Sequence, residues 1–323
     1  MKLEVRHLKK SFGEKKAVND ISFTVESGRT MGFLGRNGAG KTTTMRCIME
    51  VFHQDEGEIL LDGEPFRRSE VKVGYLPEER GMYSEVSLVD QLCYFAELKG
   101  MNRIAALKAA NKWIDALELG DYAKKKLKTL SKGNKQKIQI SQALIDDPDI
   151  LILDEPFSGL DPVNAMMIKD LITDYMQSKD VLLIFSSHQM TLVEQFCVDV
   201  VMIQQGQLIV TGSLEELKNA MNIGDYEISI YNRTPEALYQ ILQEKAPDLG
   251  ARVEENPVKK EQILRLHLPT EEKKQAFYQF ALGQQLDLKS FEPVDNDLET
   301  IFINLAKNDE LASEVQAKLL AKE

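Results

Sequence analysis

Gly35-Arg36-Asn37-Gly38-Ala39-Gly40-Lys41-Thr42 satisfies the pattern G-x-x-x-x-G-K-[ST]. Glycines at those places let the backbone turn tightly enough for successive N–H groups to point at a phosphate. A helix starting at the end of the loop, here the run Thr43 to Val51, adds a partial positive charge. Lys41 is the side chain to reach the β- and γ-phosphates, and Thr42 offers a hydroxyl to Mg²⁺. Such a cradle needs a carboxylate held rigidly opposite it, at the end of a buried strand. Ile150-Leu151-Ile152-Leu153-Asp154-Glu155 supplies two. Asp154 ends the apolar run and is placed to hold the metal directly or through water. Glu155, one residue on, points elsewhere and is the candidate general base for an attacking water. The chemistry is hydrolysis of a nucleoside triphosphate.

These residues need an α/β frame. Thr30 to Leu34, Val73 to Leu76, Ile150 to Leu153, Val181 to Phe185 and Val200 to Ile203 are continuous apolar runs, as in strands covered on both faces. The glycine loop follows the first of them. Leu3 to Leu8 and Ile21 to Val25 alternate apolar and polar residues, the pattern of a half-exposed antiparallel pair, which makes the sheet mixed. Residues 82 to about 145 read as a helical subdomain, with Leu88, Leu92, Phe95, Leu98, Leu107, Trp113, Ile114 and Leu117 spaced for a core. Near Asn222-Ile223-Gly224 the rhythm changes to strand, helix, strand, strand, helix, strand, the order of a split βαβ, ferredoxin-like unit. The division is therefore a domain of residues 1–222, a small α+β domain of residues 224–306 ending in a closing helix, and a charged tail of residues 307–323.

Composition removes several function classes. With 323 residues and 43% hydrophobic content the chain can build real cores, which excludes a disordered protein. Cys47, Cys93 and Cys197 are odd in number and scattered, so neither a disulfide framework nor a zinc site is expected, and a reducing cytoplasm fits. No stretch approaches the roughly 18 to 20 apolar residues of a membrane-spanning helix. A net charge of −11 argues against nucleic acid as partner, because that affinity needs a basic surface. His7, His53 and His267 have no ligand set around them and read as surface or packing residues.

With the cradle and the paired carboxylates in view, Leu130-Ser131-Lys132-Gly133-Asn134-Lys135-Gln136 gives the sequence a family. It resembles the signature segment of the ATP-binding subunits of ABC transporters, usually L-S-G-G-Q, with Lys132 in place of the first glycine and Asn134 in place of the glutamine. The resemblance implies a P-loop ABC ATPase core with an antiparallel β subdomain and a helical subdomain. Ser131, Gly133 and Asn134 then face the γ-phosphate held by an opposing subunit. It also implies that Phe12 stacks on adenine, that Asp161 in Ser158-Gly159-Leu160-Asp161 belongs to the loop coupling two sites, and that His188 contacts the γ-phosphate. Where the family commonly has a glutamine, this chain has Glu78 in Tyr75-Leu76-Pro77-Glu78-Glu79-Arg80-Gly81, a carboxylate able to reach Mg²⁺ or its water. That variant and Asp297-Leu298-Glu299-Thr300-Ile301-Phe302 near the end look like the bacterial export-type branch, often called type two.

The implied protein is an ATPase at the cytoplasmic face of the membrane, peripheral to a separate integral membrane permease that it powers, and receiving a short permease helix on its helical subdomain. Two copies, or this chain and a paralogue, sandwich two ATP molecules with Mg²⁺ head to tail. The rival readings are a soluble ABC-type ATPase that does no transport and a regulatory module clamped by ATP.

Overall fold

Alternating and continuous apolar patterns end in different sheets. In the computed structural model β1 (Lys2–Phe12) and β2 (Lys15–Glu26) pair antiparallel, Leu3 opposite Val25 and Val5 opposite Phe23. β3 (Thr30–Leu34), buried throughout, leads into the glycine loop and then into α1 (Lys41–Ile48). β4 (Glu56–Leu61) and β5 (Glu64–Pro65) complete a four-stranded antiparallel sheet in the order β2-β1-β4-β5. The antiparallel pair thus has a sheet of its own instead of joining the parallel strands. Its period-two pattern offers only one apolar face, whereas a central strand of the parallel sheet must be apolar on both.

The parallel sheet is assembled from β3, β6 (Val73–Leu76), β7 (Ile150–Asp154), β8 (Leu182–Ser187) and β9 (Asp199–Gln204), with β10 (Gln207–Ser213) antiparallel at one edge. The order is β10-β9-β3-β8-β7-β6. β9 and β10 are joined by Gln205 and Gly206, both at positive φ, the geometry of a tight two-residue hairpin. α1 lies in a core shared by both sheets, which buries Val5, Ile21, Phe33, Met45, Ile48, Ile152 and Ile184. Each such side chain contributes about 1.5–3 kcal/mol relative to exposure.

Between β6 and β7 the chain forms α2 (Leu88–Leu98), α3 (Arg103–Ala116) and α4 (Lys132–Leu144). Ser87, Asn102 and Ser131 cap them, each side chain accepting from the backbone N–H three residues on. Buried Leu88, Leu92, Ala106, Ala110, Trp113 and Ile114 hold α2 and α3. α5 (Pro162–Ser178) follows β7, and α6 (Met190–Phe196) follows β8.

The structure describes residues 1–78, 81–221, 224–255, 261–294 and 296–321, so Glu79, Arg80, Asn222 and Ile223, which the sequence reading used, lie outside the described residues. The chain divides into one unit of Met1–Leu214 with Phe302–Glu323 and a second of Glu215–Ile301. α7 (Leu214–Met221) begins at that junction. The second unit holds β11 (Asp225–Ile230), α8 (Pro235–Lys245), β12 (Arg252–Glu255), β13 (Gln262–His267), α9 (Glu271–Gly283) and β14 (Leu288–Pro293). Its sheet is antiparallel in the order β12-β13-β11-β14 over a core that includes Ile228, Leu238, Leu242, Leu264, Leu266 and Phe277.

α10 (Leu298–Lys307) leads back to the first unit, and α11 (Asp309–Leu320) packs along β10. Residues 309–320 are therefore a helix where the sequence reading has a charged tail. Ala312, Val315 and Leu319 form a buried stripe on it, and Thr211 N–H donates to Gln316 Oε1 at 2.7 Å.

Candidate functional site

The glycine loop leaves the C-terminal end of β3 and wraps over the start of α1. Gly40 has φ +109 and no room for a side chain, since a Cβ there would lie 2.5 Å from the Ala17 carbonyl oxygen. The β9–β10 turn braces the loop from behind: Gly206 N–H donates to the Ala39 carbonyl at 2.9 Å. Lys41 is buried, and its ammonium donates to the Gly35 carbonyl at 2.7 Å.

Across from the loop, β7 ends in Asp154 and Glu155, 1% and 7% exposed. Ser186, at the end of the neighbouring β8, organises both. Its hydroxyl donates to Asp154 Oδ1 at 2.5 Å and accepts from Glu155 N–H at 3.0 Å. Glu155 sits at φ +52, a conformation that costs a non-glycine residue about 1–3 kcal/mol. Glu155 Oε2 lies 2.8 Å from His188 Nδ1, and Oε1 lies 3.5 Å from the Lys41 ammonium. Asp154 Oδ2 and Glu155 Oε1 are buried without a hydrogen-bond partner among the described residues. Below them, burial and then the charge of Asp154 push the Tyr75 hydroxyl above its ordinary range.

Loop and carboxylates enclose a cavity of about 310 Å³. Of the residues singled out from sequence, Arg36, Asn37, Gly38, Ala39, Gly40, Lys41, Thr42, Thr43, Glu78, Asp154 and Glu155 line it. Gly35 contributes the carbonyl that holds Lys41, and His188 reaches the site through Glu155. Phe12, Ser131, Gly133, Asn134 and Asp161 are not in its wall. Phe12 is 46% exposed, its ring edge-on to Phe52 with centroids 5.2 Å apart. Ser131 caps α4, and Asp161 caps α5, where hydrogen bonds from Asn164 hold its carboxyl below the ordinary range. Ser186 and Lys15 are the participants that motif reading missed. A serine pair closing the apolar β8 beside the carboxylate strand was a usable signal for the first, while Lys15 is brought in only by the fold of β2.

Asp154 Oδ2, buried and without a hydrogen-bond partner among the described residues, opposite a threonine-bearing glycine loop, is the kind of oxygen donor that a hard divalent cation takes, so the residues fit Mg²⁺ beside a triphosphate. Among the described residues no helix is long and apolar enough to cross a membrane.

The family model for the ABC transporter matches residues 18–158. The uncharacterized ABC transporter ATP-binding protein YhaQ of Bacillus subtilis is 42% identical over 231 residues, covering 71% of this chain and 76% of that protein. An uncharacterized ABC transporter ATP-binding protein of Methanocaldococcus jannaschii is 39% identical over 252 residues, 77% of this chain and 93% of that protein. A dimeric structure of a bacterial ABC transporter cassette superposes with a TM-score of 0.60 at 20% identity, covering 66% of this chain and 98% of that one, which speaks for the fold alone. Cradle, carboxylate strand and relatives agree, and the chain belongs to the ATP-binding proteins of ABC transporters.

Proposed function

We propose that this chain is the ATP-hydrolysing subunit of a bacterial exporter of the type-two branch, bound peripherally at the cytoplasmic face of the membrane to a separate integral permease. The observation that carries the hydrolytic part is the pair Asp154 Oδ2 and Glu155 Oε1, buried, without hydrogen-bond partners among the described residues and opposite the glycine loop. Thr42 and Asp154 would hold Mg²⁺, with Glu78 reaching the metal or its water, and the ion would supply positive charge to offset that of the phosphates. Lys41 is drawn from the Gly35 carbonyl and Glu155 toward the phosphates, and Gly35 to Thr43 cradle them with backbone N–H groups. That move frees Glu155 Oε1 to take a proton from water as general base, with His188 holding Oε2 and reaching the γ-phosphate. Phe12, half exposed and backed by Phe52, stacks on the adenine.

Ser131, Gly133, Asn134 and Asp161 stand outside the chain's own cavity, which supports a head-to-tail dimer in which they complete the site of a second copy or of a paralogue. ATP bridges the two copies, hydrolysis removes the bridge, and the opening and closing drive the permease. A dimeric neighbour of the same fold is consistent with this reading. The strand order β12-β13-β11-β14 supports a ferredoxin-like reading of the accessory domain, for which we propose a role in holding the dimer together. A soluble ATPase without a permease is the rival, and relatives that are named transporter ATP-binding proteins disfavour it. The deciding experiment co-purifies the tagged chain from detergent-solubilised membranes: a multi-helix membrane protein retained with it and raising its ATP turnover supports the proposal, and a chain that turns over alone with no membrane partner refutes it.

A further inference from the structure

We propose that Tyr75 is a positioning residue for Asp154: its hydroxyl donates to Asp154 Oδ2 and, with Ser186 on Oδ1, fixes the carboxylate in the orientation that serves the divalent cation. This rests on the metal reading of Asp154 given above and names the second group that orients it.

Donor and acceptor each lack another partner. Among the described residues the Tyr75 hydroxyl is buried with no hydrogen-bond partner, and so is Asp154 Oδ2. A buried polar atom left unpaired is expensive, and a phenylalanine would fill the same place in the core without that cost. Tyr75 brings a proton on oxygen and the carboxylate brings lone pairs, so the two orphans complement each other. Asp154 Oδ2 keeps a further lone pair for a cation or its water.

The sheet brings them to one place. β6 runs parallel to β7 with Tyr75 opposite Ile152, and Tyr75 packs against the core that contains Ile150 and Ile152. Asp154 follows Ile152 by two residues and projects from the same face of β7. The offset along the strand is about 6.6 Å, a length that a tyrosine side chain spans. Burial, and next the charge of Asp154, oppose ionisation of the hydroxyl, which keeps its proton available for donation.

α1 sets which way the hydroxyl faces. Arg46 stands one turn after Thr42 on the same side of that helix, its guanidinium 5.7 Å from the Phe52 ring centroid. It acts on the Tyr75 hydroxyl against the effects of burial and Asp154. A guanidinium is a donor only, so it addresses the phenol oxygen and leaves the proton to the carboxylate. The helix that opens with Lys41 and Thr42, the strand that leads to Glu78 and the strand that ends in Asp154 therefore converge on one hydroxyl.

The test uses the full-length protein and a fluorescent, non-hydrolysable ATP analogue, its dissociation constant measured in EDTA and across a Mg²⁺ titration. Tyr75→Phe removes one oxygen and keeps the ring, so the core stays filled. The gain in affinity that Mg²⁺ gives the parent is expected to shrink about tenfold in Tyr75→Phe, as for other groups that orient a metal-bearing side chain. The dissociation constant in EDTA should be the same for both proteins. In an Asp154→Asn background Tyr75→Phe should remove nothing further. A gain undiminished by Tyr75→Phe overturns the Tyr75 proposal and leaves the metal reading standing, because the hydroxyl is then idle. An equal loss in the Asp154→Asn background overturns it too, since the hydroxyl then acts on another group. So does a matching loss of affinity in EDTA, which would make Tyr75 a support of the nucleotide pocket at large. A parent protein whose affinity ignores Mg²⁺ overturns the metal reading of Asp154 itself.

Discussion

The Lys41 ammonium stands 3.5 Å from Glu155 Oε1 while donating to the Gly35 carbonyl at 2.7 Å, so the phosphate-binding cation and the proposed base are held by each other. In the proposed mechanism an incoming γ-phosphate would compete with both contacts, and its binding would release the carboxylate at the moment a water has to be deprotonated. Glu155→Gln removes the base but leaves the cradle, and phosphate release should drop by about 10²–10⁴-fold with ATP binding retained. Lys41→Ala should lose binding or turnover. Normal hydrolysis by Glu155→Gln would show that another group activates the water.

Glu78 lines the cavity with Asp154 and Glu155, and a third carboxylate makes the site depend more on its cation. Glu78→Gln should raise the Mg²⁺ concentration needed for half-maximal ATP turnover, because the cation loses one of the carboxylates that favour it. An identical metal titration for the two proteins would remove Glu78 from the metal's surroundings.

Phe12 presents an exposed ring steadied edge-on by Phe52. Base stacking on such a ring amounts to about 1–3 kcal/mol, so Phe12→Ala should raise the dissociation constant for ATP by about 5–150-fold. Phe12→Trp should bind as the parent does. Equal loss in both variants would mean that the ring only packs against Phe52.

Burial pushes the thiols of Cys47 and Cys93 up, Cys47 to about 11, and Cys197 is raised well above the ordinary range. In the folded protein these three should react slowly with a thiol reagent at pH 8 and quickly in denaturant. A thiol whose folded pKa exceeds its unfolded value of 9.0 contributes stability in full below pH 9, and loses it as pH rises through about 11. The urea midpoint should therefore fall across that window, and Cys47→Ala, though less stable at neutral pH, should show a shallower fall. Parallel curves would refute the assignment.

Leu319 is 4% exposed on α11 and lies against Gly212 of β10. Leu319→Ala should cost about 2 kcal/mol or more of unfolding free energy, measured by urea titration. A loss of only a few tenths would mean that α11 adds little to the first unit.

The parts of the site that were legible in the sequence are those made within one short segment. Glycine spacing, Lys41, Thr42 and the Asp154–Glu155 pair sit on a single loop or strand end, and the cavity wall contains them. Buried strands were equally legible, because β3, β7 and β9 are apolar on both faces. What escaped depends on contacts between distant segments. Ser186 acts on Asp154 only because β8 lies beside β7, and Gly206 braces Ala39 only because the β9–β10 hairpin folds behind the loop. β10 itself carries a weak pattern, with Gly212 and mostly half-buried residues. The helix at residues 309–320 hid behind its charges, since an apolar stripe of Ala312, Val315 and Leu319 is sparse enough to pass for a tail.

The route of the chain through its two units sets an order of events during synthesis. β10 is at the border of the parallel sheet, and the helix that covers it is made only after the whole of Glu215–Ile301 has been translated. Until then the ribosome holds a nearly finished ATPase unit in which β10 is paired on its β9 side only and its outer edge is uncovered, the kind of border that recruits foreign strands. Arrival of Gln316 beside Thr211 closes that border, so a copy interrupted within the accessory unit should be a client for chaperones even though every residue of its phosphate cradle is present.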